Sequence, residues 1–219
     1  PMIVGSLMVT AGALVIGVPV GIFMAVFMAR FCPRIIYKIA NPIVNLLAGI
    51  PSIIYGFFGM MIVVPFIREH IGGKGYSILS ASIILGIMIL PTIISVSEAA
   101  IKAVPESYYE GALALGATKE ISVFKTVLPA AKSGIMAAVT LGIGRAIGET
   151  MAVQMVVGNQ PRLPHSILDG VRTLTTNIVT EMGYAADLHR EALIATGVVL
   201  FVFILIINLL LAFIKRRKD

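Results

Sequence analysis

Apolar residues run through this chain in five blocks, each bounded by charges or turn formers. A hydrocarbon core of about 30 Å takes about 20 residues of helix. The blocks that reach this length lie at about 3–28, 43–67, 77–97, 133–157 and 192–214. The first carries Pro19 and Gly21, which suggest a kink that neighbouring helices tolerate. The second is interrupted by Gly49-Ile50-Pro51-Ser52, and the third contains Pro91.

Two polar intervals separate the later blocks, and neither reads as a slack linker. In residues 98–132, Pro105 suits a first helical turn and Glu106 its positive end, and the pattern continues to Leu115 before Gly116 offers a left-handed stop. Thr118 can cap a second short helix, with Glu120 in its first turn, running through Ile121 and Phe124 until Leu128-Pro129 turns the chain back toward the membrane. In residues 159–190, Ile167, Leu168, Val171, Leu174, Ile178, Val179 and Met182 recur at helical spacing after Ser166 as an N-cap. This predicts an amphipathic helix ending near Gly183, a cap packed over the bundle rather than a ligand-binding lid.

Composition agrees with the pattern: 58% of residues are hydrophobic and 13% charged, with a mean hydropathy of +0.99. The predicted fold class is therefore an all-α polytopic membrane bundle of about five transmembrane helices, a single domain over 1–219. The net charge of +6 does not indicate nucleic acid, because no Lys/Arg stripe with interleaved aromatics is present. The basic residues instead flank the apolar blocks, where they set topology. Taking the Lys215-Arg216-Arg217-Lys218 tail as cytoplasmic places 29–42 and 98–132 inside, eleven Lys/Arg with the four of the tail, and 68–76 and 159–190 outside with five. Residue 1 then lies outside, so one helix is expected to precede the chain if the native N-terminus is cytoplasmic. Cys32 is the only cysteine and sits between Arg30 and Arg34, which suggests a reduced cytoplasmic edge.

In the first polar interval, Gly116 stands six residues after Glu110-Gly111-Ala112, and Leu128-Pro129 begins twelve further on. This spacing resembles the EAA loop of ABC-importer permeases, E-A-A-x3-G-x9-I-x-L-P, with Gly111 in place of the first Ala and Thr126 in place of the Ile. A literal Glu98-Ala99-Ala100 is followed at the glycine position by Val104 and does not fit. The resemblance implies that Glu110, Gly111, Ala112, Gly116, Leu128 and Pro129 form a coupling element that docks on a cytoplasmic ATP-binding subunit. The bland alternative is a helix-turn that merely connects two spans.

The fourth block contains Arg145 and Glu149, four apart and so neighbours on one face of a continuous helix. A lone charge at this depth costs about 3 kcal/mol, so mutual pairing toward the bundle interior is expected. The pair reads either as part of a transport pathway or as a structural ion pair that orients the helix. Gly142, Gly144 and Gly148 follow the spacing G-x-G-x-x-x-G without a preceding strand, which suits close helix packing rather than a dinucleotide.

The run Gly-Arg-Ala-Ile-Gly-Glu-Thr-Met-Ala-Val from Gly144, Val157-Gly158-Asn159, and Ala48-Gly49-Ile50-Pro51-Ser52 through Phe58 resemble the permeases of phosphate-specific ABC importers, nearer the PstC than the PstA branch. The likeness extends over essentially the whole chain. It implies a MetI-like architecture in the plasma (inner) membrane and a role for Arg145 and Glu149 in moving phosphate. The implied partners are a cytoplasmic ATP-binding subunit dimer, a second, PstA-like permease subunit, an extracytoplasmic phosphate-binding protein and membrane lipid.

The remaining signals are weak. His70, His165 and His189 have no ligand spacing for a metal, and no cofactor is indicated. Gly72-Gly73-Lys74-Gly75 lacks the earlier Gly and the following Ser/Thr of a phosphate loop, so the chain is not read as an enzyme and hydrolysis is expected on another subunit. Three rival functions remain open: a permease for phosphonate, sulfate or molybdate, a secondary transporter in which Glu149 relays protons, and an assembly or sensing subunit.

Overall fold

The computed structural model describes the backbone of residues 1–216 and the side chains of residues 1–210 and 213. Part of the basic tail expected at the cytoplasmic face, Arg217 and Lys218, lies outside the described residues.

The bundle is organised around α5 (Ile78–Lys102), which starts at the N-cap Ser77 and is buried along most of its length. Helix α1 (Met2–Val26) lies along it. Glycines allow the close approach. A Cβ on Gly12 would fall 2.2 Å from Ser82 Oγ, and one on Gly21 2.7 Å from Ile93 Cγ2. Small residues at such a contact are the usual device where lipid gives helices no hydrophobic reason to associate. α1 stays one helix through Pro19 and passes into a widened π turn at Phe27–Phe31.

The second apolar block departs from its expected outline. Helix α2 (Arg34–Gly49) begins nine residues before the predicted 43 and ends at Ile50-Pro51, both extended. A new helix then runs as α3 (Ser52–Phe58), a π turn (Gly59–Val63) and α4 (Val64–His70). The residue before a proline is pushed out of the helical region, and Pro51 supplies no N–H to carry the helix on.

The third block extends past its predicted end at 97, because Glu98 and Lys102 form a pair one helical turn apart (2.6 Å) and Tyr37 Oη donates to Glu98 Oε1 at 2.8 Å. The polar interval therefore starts its own structure near Ala103. It contains α6 (Glu106–Ala114), α7 (Lys119–Ser122), a π turn (Val123–Val127) and α8 (Leu128–Ala130). Pro129 sits in the first turn of α8, where its missing N–H is harmless. The chain turns by 69° one step later, between Ala130 and Lys132, rather than at Leu128-Pro129.

The fourth block is also broken. α9 (Lys132–Gly148) has 17 residues, about 25 Å of helix, too short to cross alone. α10 (Met151–Val156) completes it after a break at Glu149-Thr150. Past α10 the predicted helix from Ile167 is not formed. Residues 159–173 run irregularly, the N–H groups of Ile78 and Leu79 donate to Asp169 O and Ile167 O (both 3.0 Å), and a single bridge joins Gly158 to Val171. Helix α11 starts only at Leu174 (Leu174–Met182), capped by Thr173 instead of Ser166. Helix α12 (Asp187–Arg216) lies along the outside, and its described apolar side chains from Ile194 to Leu210 are exposed or half-buried, as a lipid-facing span requires.

Candidate functional site

Two constructions stand out, a helical projection beyond the α5 C-terminus and a junction of broken helices within the bundle. The projection is rigid by local chemistry. Gly116 adopts φ +87°, its N–H donates to Leu113 O (2.9 Å) and the next N–H, from Ala117, donates to Ala112 O (3.1 Å). This is the left-handed helix stop that glycine supports without strain. Two residues on, Thr118 Oγ1 accepts from Ile121 N (3.4 Å) and starts α7. Glu120 in that first turn has its carboxyl held below the usual carboxylate range by its own backbone N–H and the Thr118 hydroxyl.

The base of the projection is fixed to the first span. Arg30 Nη1 donates to Glu106 Oε2 at 2.7 Å, Nη2 reaches Ile101 O at 3.4 Å, and the guanidinium lies 5.7 Å from the Tyr109 ring centre. Tyr109 and Leu128 pack on the buried cluster of Val104, Val123 and Val127. Leu128 therefore anchors the base, while Glu110, Gly111 and Gly116 face outward with Ala112 half-buried and Pro129 exposed at the bend. A Cβ on Gly111 meets nothing within 4 Å, so the departure from the family's Ala is sterically neutral. Tyr108, Leu115, Ile121 and Phe124 are exposed on the same projection, Leu115 by 92%. Apolar groups in such a cluster on a polar element mark a contact surface.

The junction brings together the two breaks. α3 and α10 pack so closely that a Cβ on Gly56 would lie 2.9 Å from Ala152 Cα. Each break settles its own backbone groups, as non-helical chain at membrane depth must. At the first, buried Tyr55 donates its hydroxyl to Leu47 O (2.8 Å). At the second, Glu149 is extended (ψ 133°), and its Oε1 accepts from Thr150 N (3.1 Å) and Ala152 N (3.3 Å). Thr175 Oγ1 of α11 donates to Glu149 O at 3.0 Å.

This geometry corrects the expected Arg145–Glu149 ion pair. The spacing of four brings side chains together only on an unbroken helix. Here α9 ends at Gly148, and the carboxylate turns to the α10 N–H groups. Half-buried Arg145 donates from Nη1 to Thr92 Oγ1 (3.2 Å), next to Pro91 in α5, and among the described residues it has no carboxylate partner. The glycines divide as well. Gly142 packs on Ile93, whereas a Cβ on Gly144 or Gly148 would meet nothing within 4 Å. With exposed Leu141 and Met151 they form an open face on both sides of the break.

Sequence reasoning missed Arg30, Tyr55, Thr92 and Thr175. Arg30 had a signal, a cation next to an apolar span, but it was absorbed by the topology argument. The other three have local patterns no different from ordinary helix or loop residues. Among the described residues no group of three or more His, Cys, Asp or Glu could hold a metal.

Residues 17–219 match the model of the family described as "binding-protein-dependent transport system inner membrane component". A probable ABC transporter permease protein, YqgH of Bacillus subtilis, is 42% identical over 221 residues, covering 100% of this chain and 72% of the relative. The phosphate transport system permease protein PstC of Xylella fastidiosa is 36% identical, covering 99% and 74%. Among solved structures, a MetNI methionine ABC transporter in an inward-facing conformation aligns with a TM-score of 0.73 at 23% identity, covering 98% of this chain and 91% of that one. An amino acid ABC transporter aligns at 0.68 and 22%, covering 99% and 92%. At these identities the structural likeness speaks to the fold alone.

Proposed function

Because this chain belongs to the binding-protein-dependent transport family and is a multi-pass permease subunit of an ABC importer, we propose that it forms part of a translocation pathway for inorganic phosphate. Arg145 carries this reading: it stands half-buried at the broken-helix junction, hydrogen-bonded to Thr92 and, among the described residues, without a carboxylate partner. An uncompensated cation at membrane depth is costly unless an anion visits it, and discontinuous helices are where transporters place substrate sites. The PstC name of the relatives, at 33 to 36% identity, supports phosphate over other oxyanions.

Glu149 then has two roles. Its carboxylate caps α10, and its charge near the path keeps anion binding weak enough for release. The projection formed by α6 and α7 transmits the power stroke. Glu110, Gly111, Ala112 and Gly116 present the docking surface for an ATP-binding subunit, and the base held by Arg30, Leu128 and Pro129 passes its motion to α1 and α9. A short rigid helix pair conveys rigid-body closure that a slack loop would absorb. A second permease subunit covers the open face of Gly144 and Gly148, an extracytoplasmic binding protein delivers the anion, and the C-terminus lies in the cytoplasm.

The test is reconstitution with the ATP-binding subunits, partner permease and binding protein, followed by ATP-dependent uptake of phosphate, sulfate and molybdate. Uptake of phosphate above the other two is expected. Preference for sulfate or molybdate would overturn the substrate, and uptake that survives loss of the ATP-binding subunit but collapses with a proton uncoupler would overturn the energy source.

A further inference from the structure

We propose that a cavity at the end of the bundle opposite the projection is a second oxyanion site, built around Lys74, which receives the anion before it reaches Arg145. The proposal rests on the phosphate reading above. The cavity has a volume of about 350 Å³ and lies between the turn after α4 and the end of α10. That volume holds roughly ten water molecules at ~30 Å³ each, enough for a tetrahedral oxyanion with part of its hydration.

Its wall has the chemistry of an anion site. Lys74 is the one charged residue among those that line it, and no carboxylate does. Tyr76, Gln154, Asn159 and Gln160 add neutral polar groups. Among the described residues the side chains of Lys74, Tyr76 and Gln160 form no hydrogen bond within the chain, so their donors are available. Asn159 Nδ2 donates to Gln154 O at 2.8 Å, which fixes the amide orientation, and its Oδ1 is buried in the wall without a partner. The wall thus offers an oxyanion the ammonium of Lys74 and the free donors of Tyr76 and Gln160.

The loop that presents Lys74 is held in place. Gly73 and Gly75 flank it at φ +72° and +81°, and a Cβ on Gly75 would lie 2.4 Å from Val64 O. The Gly75 carbonyl accepts from the buried hydroxyls of Ser77 and Ser80 at the start of α5. The arrangement that failed as a nucleotide phosphate loop thus fixes one lysine at a cavity mouth. The cavity also lies in line with the junction, since Met151, Gln154 and Met155 follow each other at helical spacing from the break at Glu149 up to the cavity wall.

A free phosphate and a lipid headgroup share this chemistry, and competitive labelling separates them. The assembled transporter, in phosphatidylcholine nanodiscs with or without phosphatidylglycerol, is exposed to a membrane-impermeant acylating reagent with and without inorganic phosphate. Labelling of Lys74 is read against Lys119 and Lys125. The expected result is that inorganic phosphate protects Lys74 alone, in both lipid compositions. No protection, or protection by phosphatidylglycerol to which phosphate adds nothing, overturns the proposal. Lys74→Gln is expected to lower uptake at subsaturating phosphate about fivefold, with Lys74→Arg restoring it. Unchanged uptake by Lys74→Gln overturns the outer site while leaving the permease reading intact, whereas absence of phosphate uptake by the wild-type assembly defeats that reading itself.

Discussion

The projection and the junction both interrupt helices, and they do so by opposite means. At Gly116 the interruption is a backbone conformation that one residue type adopts without strain, in the open, with nothing within 4 Å of an added Cβ. At Glu149 it is a side chain, a carboxylate that replaces the N–H partners lost between α9 and α10. The first produces a stiff lever whose shape does not depend on what surrounds it. The second can be rearranged, because a carboxylate that leaves two N–H groups frees both the helix end and a charge. On the proposed function, the first region would transmit motion and the second would undergo it.

That contrast can be broken most severely at Gly116. A residue with a Cβ at φ +87° costs about 1–2 kcal/mol, and a bulky one would also obstruct the proposed docking surface. Gly116→Trp is expected to reduce ATP-dependent uptake to background while the assembled transporter still forms; normal uptake would remove the lever from the account.

The junction is probed next by two substitutions of Glu149. Glu149→Ala removes the cap, worth about 1 kcal/mol, and several-fold slower uptake is expected. Glu149→Gln keeps an oxygen for Thr150 N and Ala152 N and is expected to be milder. Equal loss from both variants would show that charge rather than capping is what the site uses.

Smaller effects sharpen the picture of the projection. Gly111→Ala has free space and a helical backbone, so a gain of about 0.5–1 kcal/mol in helix stability with unchanged uptake is expected from thermal unfolding and transport assays. The smallest effect concerns the irregular segment before α11. The N–H groups of His165 and Ser166 hold the Asp169 carboxyl below the usual carboxylate range. Its folded-state pKa is depressed, so the stabilisation is present above the ordinary carboxylate pKa and is lost as the pH falls through the folded value. The protection factors of the His165 and Ser166 amides, taken relative to the intrinsic exchange rate at each pH, should fall on acidification, and in Asp169→Asn this fall should disappear.

The two regions also differ in how far their sequences announce them. Pro105, Gly116 and Thr118 each have a conformational preference that acts locally, so the helix pair and its turn follow from residue type. The all-α membrane class followed as directly from the apolar blocks. The break at Glu149 did not follow, because the i, i+4 argument presumes a continuous helix and nothing in Gly-Glu-Thr-Met states that the carboxylate will fold forward onto Ala152. Ile50-Pro51 was visible as an interruption, yet the apolar run on both sides hid that α2 begins at Arg34. At Ile167 and Leu168 helical spacing misled, since Asp169 ties the preceding amides into a turn and the backbone bonds instead to the start of α5. Partners such as Thr92 and Thr175 are brought to the site by tertiary packing alone.

Whether the Arg145 cation at the junction draws the anion through the bundle is decided by removing its charge alone. ATP-dependent phosphate uptake should be measured for Arg145→Gln in the reconstituted transporter, alongside ATPase activity and subunit assembly. If the Arg145 charge draws the anion, uptake falls to background with assembly intact, because glutamine can still bond to Thr92 but carries no charge. Wild-type uptake by that variant would contradict it.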